Sequence, residues 1–239
     1  MVSIILATIS VLAPETLPAV TELVNQRINS LGRAAYSGID PEFTACVSGI
    51  SADVETGRRS ARQWLNDGGG PPAQYCLAIG DFAAGFPKLA AVRFTELAEM
   101  PNAGSDETKS RVYASAALSF LDANKAKEAL LSLKSALNIS PDLSDLHLVA
   151  AKVYAANEQW EAVVNAVGKS IEAGLINTEG FILRATAHRA LGKNRQAAED
   201  IVQALKREPE NLDALVIRGE LIQGGIEIRA RYEQVDTPN

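Results

Sequence analysis

Two cysteines and two histidines in a chain of 239 residues leave little material for a metal centre. Such sites need Cys and His clusters at ligand spacing, so none is expected here. Aromatic residues make up only 5 % of the chain, while alanine and leucine are frequent; that balance favours close-packed helices over sheets. Positive charge is also in short supply. The formal net charge of −6 repels phosphate backbones, so nucleic acid is not an expected partner. The apolar N-terminal run, residues 2–13, has 12 residues. A helix needs about 20 to cross a bilayer, so no stable membrane span is expected.

What is present is ordinary globular material, 47 % hydrophobic and 22 % charged, which rules out a wholly disordered chain. The run 2–13 has the length of a signal-peptide core. No Lys or Arg precedes it, however, and Pro14 follows the small-residue site Val11-Leu12-Ala13. It is therefore either an export signal, which implies the periplasm or another exported location, or an apolar first helix on a cytoplasmic protein.

The rest reads as helix, short break, helix. An amphipathic stretch over 17–31 is followed by a turn at Ser37-Gly38-Ile39-Asp40-Pro41. Helices are expected over 43–51, 54–66, 73–84 and 87–100, the last three divided by Gly68-Gly69-Gly70-Pro71-Pro72 and by Gly85. No stretch shows the strict alternation of a strand.

The second half repeats itself. Pro141 and Pro209 stand 68 residues apart, as do Ala129 and Ala197, Ala136 and Ala204, Tyr113 and Phe181, and Ala117 and Ala185. Asn124 and Gly192, both at a break between paired helices, have the same separation. Between them lies a unit displaced by 34: Tyr113 maps to His147, Ala117 to Ala151, Phe120 to Tyr154, and Ala126 to Trp160. Leu133, Val167 and Ile201 fill one large apolar position at that same interval. A period of 34 marks helix–turn–helix repeats whose hairpins bury their apolar faces only by stacking.

These residues resemble the tetratricopeptide repeat (TPR) family. Three units fit, over 110–143, 144–177 and 178–211, with a capping helix over 212–223. Gly85, Ala90 and Phe94 fit one earlier unit, offset by a five-residue insertion near Gly104. The unit before it is degenerate. The stretch 64–85 also resembles leading repeats of bacterial, often exported, members. The resemblance implies an all-α fold: a right-handed superhelical solenoid of about five antiparallel hairpins plus a C-terminal capping helix. The division is then 1–13 apolar segment, 14–40 helix and linker, 41–104 degenerate and offset hairpins, 105–225 three repeats and cap, and 226–239 polar tail.

It also implies a non-catalytic scaffold that takes protein or peptide partners on a concave face lined by the first helix of each hairpin. Matching positions are Tyr75, Ile79 and Phe82, then Ala114, Leu118 and Leu121. Leu148, Lys152 and Ala155 come next, followed by Ile182, Thr186 and Arg189. The Lys, Arg and Asn set that grips an acidic carboxylate in some members is mostly missing. An apolar groove suits an extended or helical peptide better, although the N-terminal helix is a second candidate to cover part of this face. The alternative role is an accessory subunit docking a separate enzyme or an envelope or secretion assembly. A third is an enzyme with its own site in the degenerate half.

Cys46 and Cys76 fall on the first helices of successive hairpins, which lie side by side in a solenoid. In an exported protein a disulfide would staple them; in a cytoplasmic one they would be two buried thiols. Other chemistry is wanting. The Gly68–Gly70 triplet runs into two prolines, which removes amides that a phosphate loop requires. His147 and His188 occupy packing positions. Glu199-Asp200 and Glu208 with Glu210 read as surface acidic clusters, and adjacent helical residues do not face each other. No cofactor is expected.

Overall fold

Side-chain caps start several of the first helices, and left-handed turns start most of the second ones. In the computed structural model, residues 17–29, 31, 35–36, 40–175 and 177–228 are described. The apolar run 2–13, with its export reading, and the tail beyond 228 lie outside them. Twelve helices occupy the described residues. They are α1 (Leu17–Asn29), α2 (Pro41–Ala52), α3 (Val54–Asn66), α4 (Gly70–Ala83), α5 (Pro87–Glu99) and α6 (Asp106–Asp122). Then follow α7 (Ala126–Ile139), α8 (Leu146–Ala156), α9 (Trp160–Glu172), α10 (Thr178–Ala190), α11 (Asn194–Arg207) and α12 (Leu212–Gln223).

Asp40 caps α2, Ser105 caps α6, Asn177 caps α10 and Asn211 caps α12, each side-chain oxygen accepting from a backbone N–H of the first turn. Such caps satisfy donors that a helix start otherwise leaves unpaired. The second helices α5, α7, α9 and α11 have no side-chain cap. Instead, the chain reverses just before each through one residue with positive φ: Gly85 (86°), Asn124 (56°), Glu158 (56°) and Gly192 (72°). The latter three keep the 34-residue interval, so the hairpin turn repeats in conformation although its residue type does not.

Consecutive helices pack as antiparallel neighbours, and first helices also meet each other: α2 with α4, α6 with α8, α8 with α10, α10 with α12. The result is an all-helical solenoid. Ala117, Ala151 and Ala185 are fully buried where paired helices approach. Leu133, Val167 and Ile201 are fully buried as well, a burial worth roughly 1.5–3 kcal/mol for each side chain. At the start, a Cβ on Gly57 would lie 2.6 Å from the Ile50 Cα, so the tight α2–α3 crossing requires glycine there.

Two boundaries differ from expectation. The first well-framed unit, expected from 110, starts as a helix at Asp106, because Ser105 caps it and Asp106 and Glu107 suit the positive end of the helix dipole. Helix α4 starts at Gly70 rather than at 73, because Pro71 and Pro72, suited to first helical positions where a missing N–H costs nothing, lie within its first turn. The insertion near Gly104 has a structural partner: the Tyr36 hydroxyl donates to the Ala103 carbonyl at 2.6 Å, tying the loop between α5 and α6 to the N-terminal segment.

Candidate functional site

The first helices face inward, and what lies on them differs between the two ends of the array. In the N-terminal half the face is filled. Helix α1 packs on α4 and α2, and Leu31, Ala35 and Tyr36 follow it into the core. The Arg27 Nε donates to the Phe82 carbonyl at 2.7 Å, and the same guanidinium reaches Asp122 on α6 at 2.6 Å. Tyr36 stacks edge-on to Tyr75, with ring centroids 5.4 Å apart, and Phe43 and Phe94 complete the cluster. The Tyr75 hydroxyl shares a hydrogen bond with Ser115. Burial, helped by Tyr75, pushes the Tyr36 phenol up to about 12.

This corrects the expectation that Tyr75, Ile79 and Phe82 line a partner groove. All three are buried core residues, with the N-terminal segment placing Tyr36 against Tyr75 and Arg27 on Phe82.

Beyond α1 the face opens. A groove of ≈ 440 Å³ lies among α6, α8 and α10, with Asn29, the last residue of α1, in its wall. Leu118, Leu148 and Val149 form its apolar floor, and Leu175, 47 % exposed, forms a lip. Asp145, Lys152 and Glu179 supply the charged rim. Ala114 is buried and Leu121 half-buried beside this region; Ile182 and Thr186 continue the face along α10, half-buried.

The charged residues form a ladder from one first helix to the next. Arg27 reaches Asp122, Arg111 meets Asp145 at 2.8 Å, Lys152 meets Glu179 at 2.8 Å, and Arg189 meets Glu220 at 2.5 Å. Arg111 also pairs with Glu107 on its own helix. The two concave-face cations picked out from sequence, Lys152 and Arg189, are thus engaged with carboxylates. Each such half-exposed pair is worth about 0–1 kcal/mol. One acceptor is left over. Asp145 Oδ2 takes the Arg111 donor, while Oδ1 is buried without a hydrogen-bond partner.

The histidines stand elsewhere. His147 lines a separate cavity of ≈ 440 Å³ with Tyr154 and Lys169 on the α8–α9 side. Burial, then Lys169, pulls its pKa below the ordinary value. His188 is buried between α10 and α11, its Nε2 3.8 Å from Asp200 Oδ2. Burial again lowers its pKa, against the pull of Asp200. Asp200 itself corrects a sequence reading: it is not a surface acid but buried, held by two donors of Arg184. Among the described residues, no group of three or more His, Cys, Asp or Glu side chains could hold a metal ion.

One feature near the start has no local sequence signal. Asp81 on α4 is fully buried and takes Arg58 from α3 at 2.7 Å and Arg93 from α5 at 2.6 Å, locking three helices together. Nothing within one helix announces such a meeting. Of the two states open to Cys46 and Cys76, the structure has the disulfide. Their sulfurs are 2.02 Å apart and their Cα atoms 6.4 Å apart, linking α2 to α4. Cys76 is buried, whereas Cys46 borders an outer cleft of ≈ 420 Å³ lined by Gly49, Gly57 and Trp64.

No family model matches the sequence, and no curated protein does. Among solved structures, the chain is similar to a thermophilic TPR protein of Thermus thermophilus. The TM-score is 0.55 at 17 % identity, over 76 % of this chain and 96 % of that one. A likeness at that identity carries the fold alone: the solenoid is of tetratricopeptide type.

Proposed function

We propose that the protein is a non-catalytic scaffold that holds a segment of another protein in the open groove among α1, α6, α8 and α10. One observation carries the reading. Leu118 and Val149 are buried in the groove's floor, while Leu148 is half-buried and the lip Leu175 is exposed, and no segment among the described residues covers it. A concavity lined by apolar side chains of which some remain open is the usual mark of a recognition surface. A solenoid of this type generally serves protein interaction, and its length supplies an extended inner face.

Site-specific photocrosslinking tests the proposal. A photoreactive residue at position 148 should capture a protein partner in the source cells, while the same group at Leu131, 64 % exposed, should not. Equal capture at both positions, or none at 148, would count against the groove. A captured enzyme held in fixed stoichiometry would point to the accessory-subunit version of the same role.

The joined Cys46 and Cys76 support an oxidising location such as the bacterial periplasm, since thiols in the cytosol are kept reduced. Compartment fractionation with thiol trapping checks this. A reduced pair recovered from the cytoplasm would overturn it.

A further inference from the structure

We propose that residues 229–239 dock on the uncovered face of α12, in the seat that a second helix holds in the other hairpins, and so close the C-terminal end of the array. The proposal stands apart from the groove. Hairpin α10–α11 shows what fills such a seat. Thr178, Phe181, Ala185 and His188 lie along one face of α10, and all four are buried. That face meets α11: the Arg207 guanidinium lies 4.6 Å from the centre of the Phe181 ring, and His188 stands 3.8 Å from Asp200. The repeat carries these four positions to Leu212, Leu215, Gly219 and Ile222 on α12. Here they are open. Leu212 is 77 % exposed and Ile222 47 %, Leu215 and Gly219 are half-buried, and a Cβ on Gly219 would meet nothing within 4 Å. The opposite face of α12 is buried through Ala214, Ile217 and Leu221. A helix apolar on both sides belongs inside an array, since the end of a solenoid needs a polar outer face.

The chain turns back after α12 as it does after α10. Gly225 has a left-handed φ of 84°, against 72° at Gly192. The amides of Gly225 and Ile226 donate to the carbonyls of Ile222 and Leu221, as those of Gly192 and Lys193 do to Arg189 and His188. At Gly192 this turn leads into α11. After Gly225, Ile226 and Ile228 lie outside any helix and pack on the C-terminal core cluster, beside Ala198 and Val202 of α11. Eleven residues, 229–239, follow them. As a helix they would span about 16 Å, close to the roughly 15 Å from Leu212 to Ile222. Ala230, Tyr232 and Val235 supply apolar side chains, and the remaining polar residues suit the outer face of an array's end. The charges are complementary as well. In the preceding hairpin Arg184 holds Asp200 of the second helix. Arg218 takes the Arg184 position on α12, and the segment brings Glu233 and Asp236.

The test is photocrosslinking in the purified full chain, with a benzophenone side chain replacing Ile222, in a mixture of isotope-labelled and unlabelled protein. The expected crosslink joins position 222 to residues 229–239 of the same molecule, at a yield that does not fall on dilution. Crosslinks between labelled and unlabelled molecules would put a second copy on α12 and overturn the proposal. Crosslinks confined to other parts of the chain, or none, would overturn it too. A chain stopped after Ile228 gives a second measurement. Hydrogen exchange in α12 should speed up at least about tenfold in it, with α6 to α9 unchanged. Equal exchange in α12 with and without 229–239 would again overturn the proposal. Should the shortened chain lose its helicity by circular dichroism, the crosslink in the full chain decides alone.

Discussion

Arg27 binds Phe82 twice. Its Nε donates to the Phe82 carbonyl at 2.7 Å, and its guanidinium carbon lies 4.8 Å from the centre of the Phe82 ring. Arginine is suited to both at once, having a flat cation that can stack while its edge donates. With the ion pair to Asp122, one side chain ties α1 to both α4 and α6. Replacing it with alanine should cost about 2–4 kcal/mol, the sum of one hydrogen bond to a charged group and a partly exposed cation–π contact. The loss should be local. Hydrogen exchange in 17–29 should speed up more than about tenfold with little change in the later hairpins. A uniform acceleration along the chain would contradict that.

Glu158 takes a left-handed conformation that glycine adopts at Gly85 and Gly192. A non-glycine residue pays roughly 1–2 kcal/mol there, part of which glycine returns through its looser unfolded chain. Glu158→Gly should therefore raise stability by about 0.5–1 kcal/mol in urea unfolding. Asn124→Gly should gain less, because asparagine tolerates this region better. A destabilised Glu158→Gly protein would show that the side chain does something the turn does not require.

The Cys46–Cys76 link closes a loop with a sequence separation of 30. Restricting the unfolded chain by a loop of that size is worth about 3–4 kcal/mol in the chain-entropy account. Reduction, or a Cys46→Ser/Cys76→Ser double variant, should lower the thermal midpoint. Its effect on exchange should centre on α2 to α4. An unchanged midpoint with and without reductant would show that the link adds nothing to stability.

His188 sets a pH dependence. Its folded pKa is depressed, chiefly by burial, so the folded protein prefers the neutral ring. The groups around it are Asp200 and Glu199, which raise it, and Arg184 and Lys193, which lower it. Above the ordinary value of 6.5 both folded and unfolded rings are neutral and the site contributes no pH dependence. As pH falls below that value the unfolded chain binds the proton first, and stability drops until the folded ring also titrates. His147 acts in the same direction. Thermal midpoints should therefore decline from pH 7 to pH 5, and His188→Gln should flatten part of the decline. An equally steep decline in that variant would assign it elsewhere.

Much of the array was legible residue by residue because its information is local. The small residues Ala117, Ala151 and Ala185 and the large ones Leu133, Val167 and Ile201 recur with the helix pair itself, whereas the cap at Ser105, which starts α6 ahead of the repeat frame, was not legible from that period. The site was less legible. Tyr75, Ile79 and Phe82 have the positions of groove residues, and no pattern within α4 tells whether the covering helix comes from a partner or from the same chain. Tyr36 gave no sign that it would lie under the array, and Asp200 looked like any acid on a polar helix face until Arg184 met it.

The 34-residue period by itself determined that this chain stacks helical hairpins, because an amphipathic hairpin has no other way to bury its apolar face. Which part of the inner surface stays open was decided only in three dimensions. Arg27 and Tyr36 find their hydrogen-bond partners 55 to 95 residues further along the chain, at Phe82, Ala103 and Asp122. Contacts of that separation depend on how the whole solenoid brings its first helices together, and they leave no periodic mark in the residues that make them.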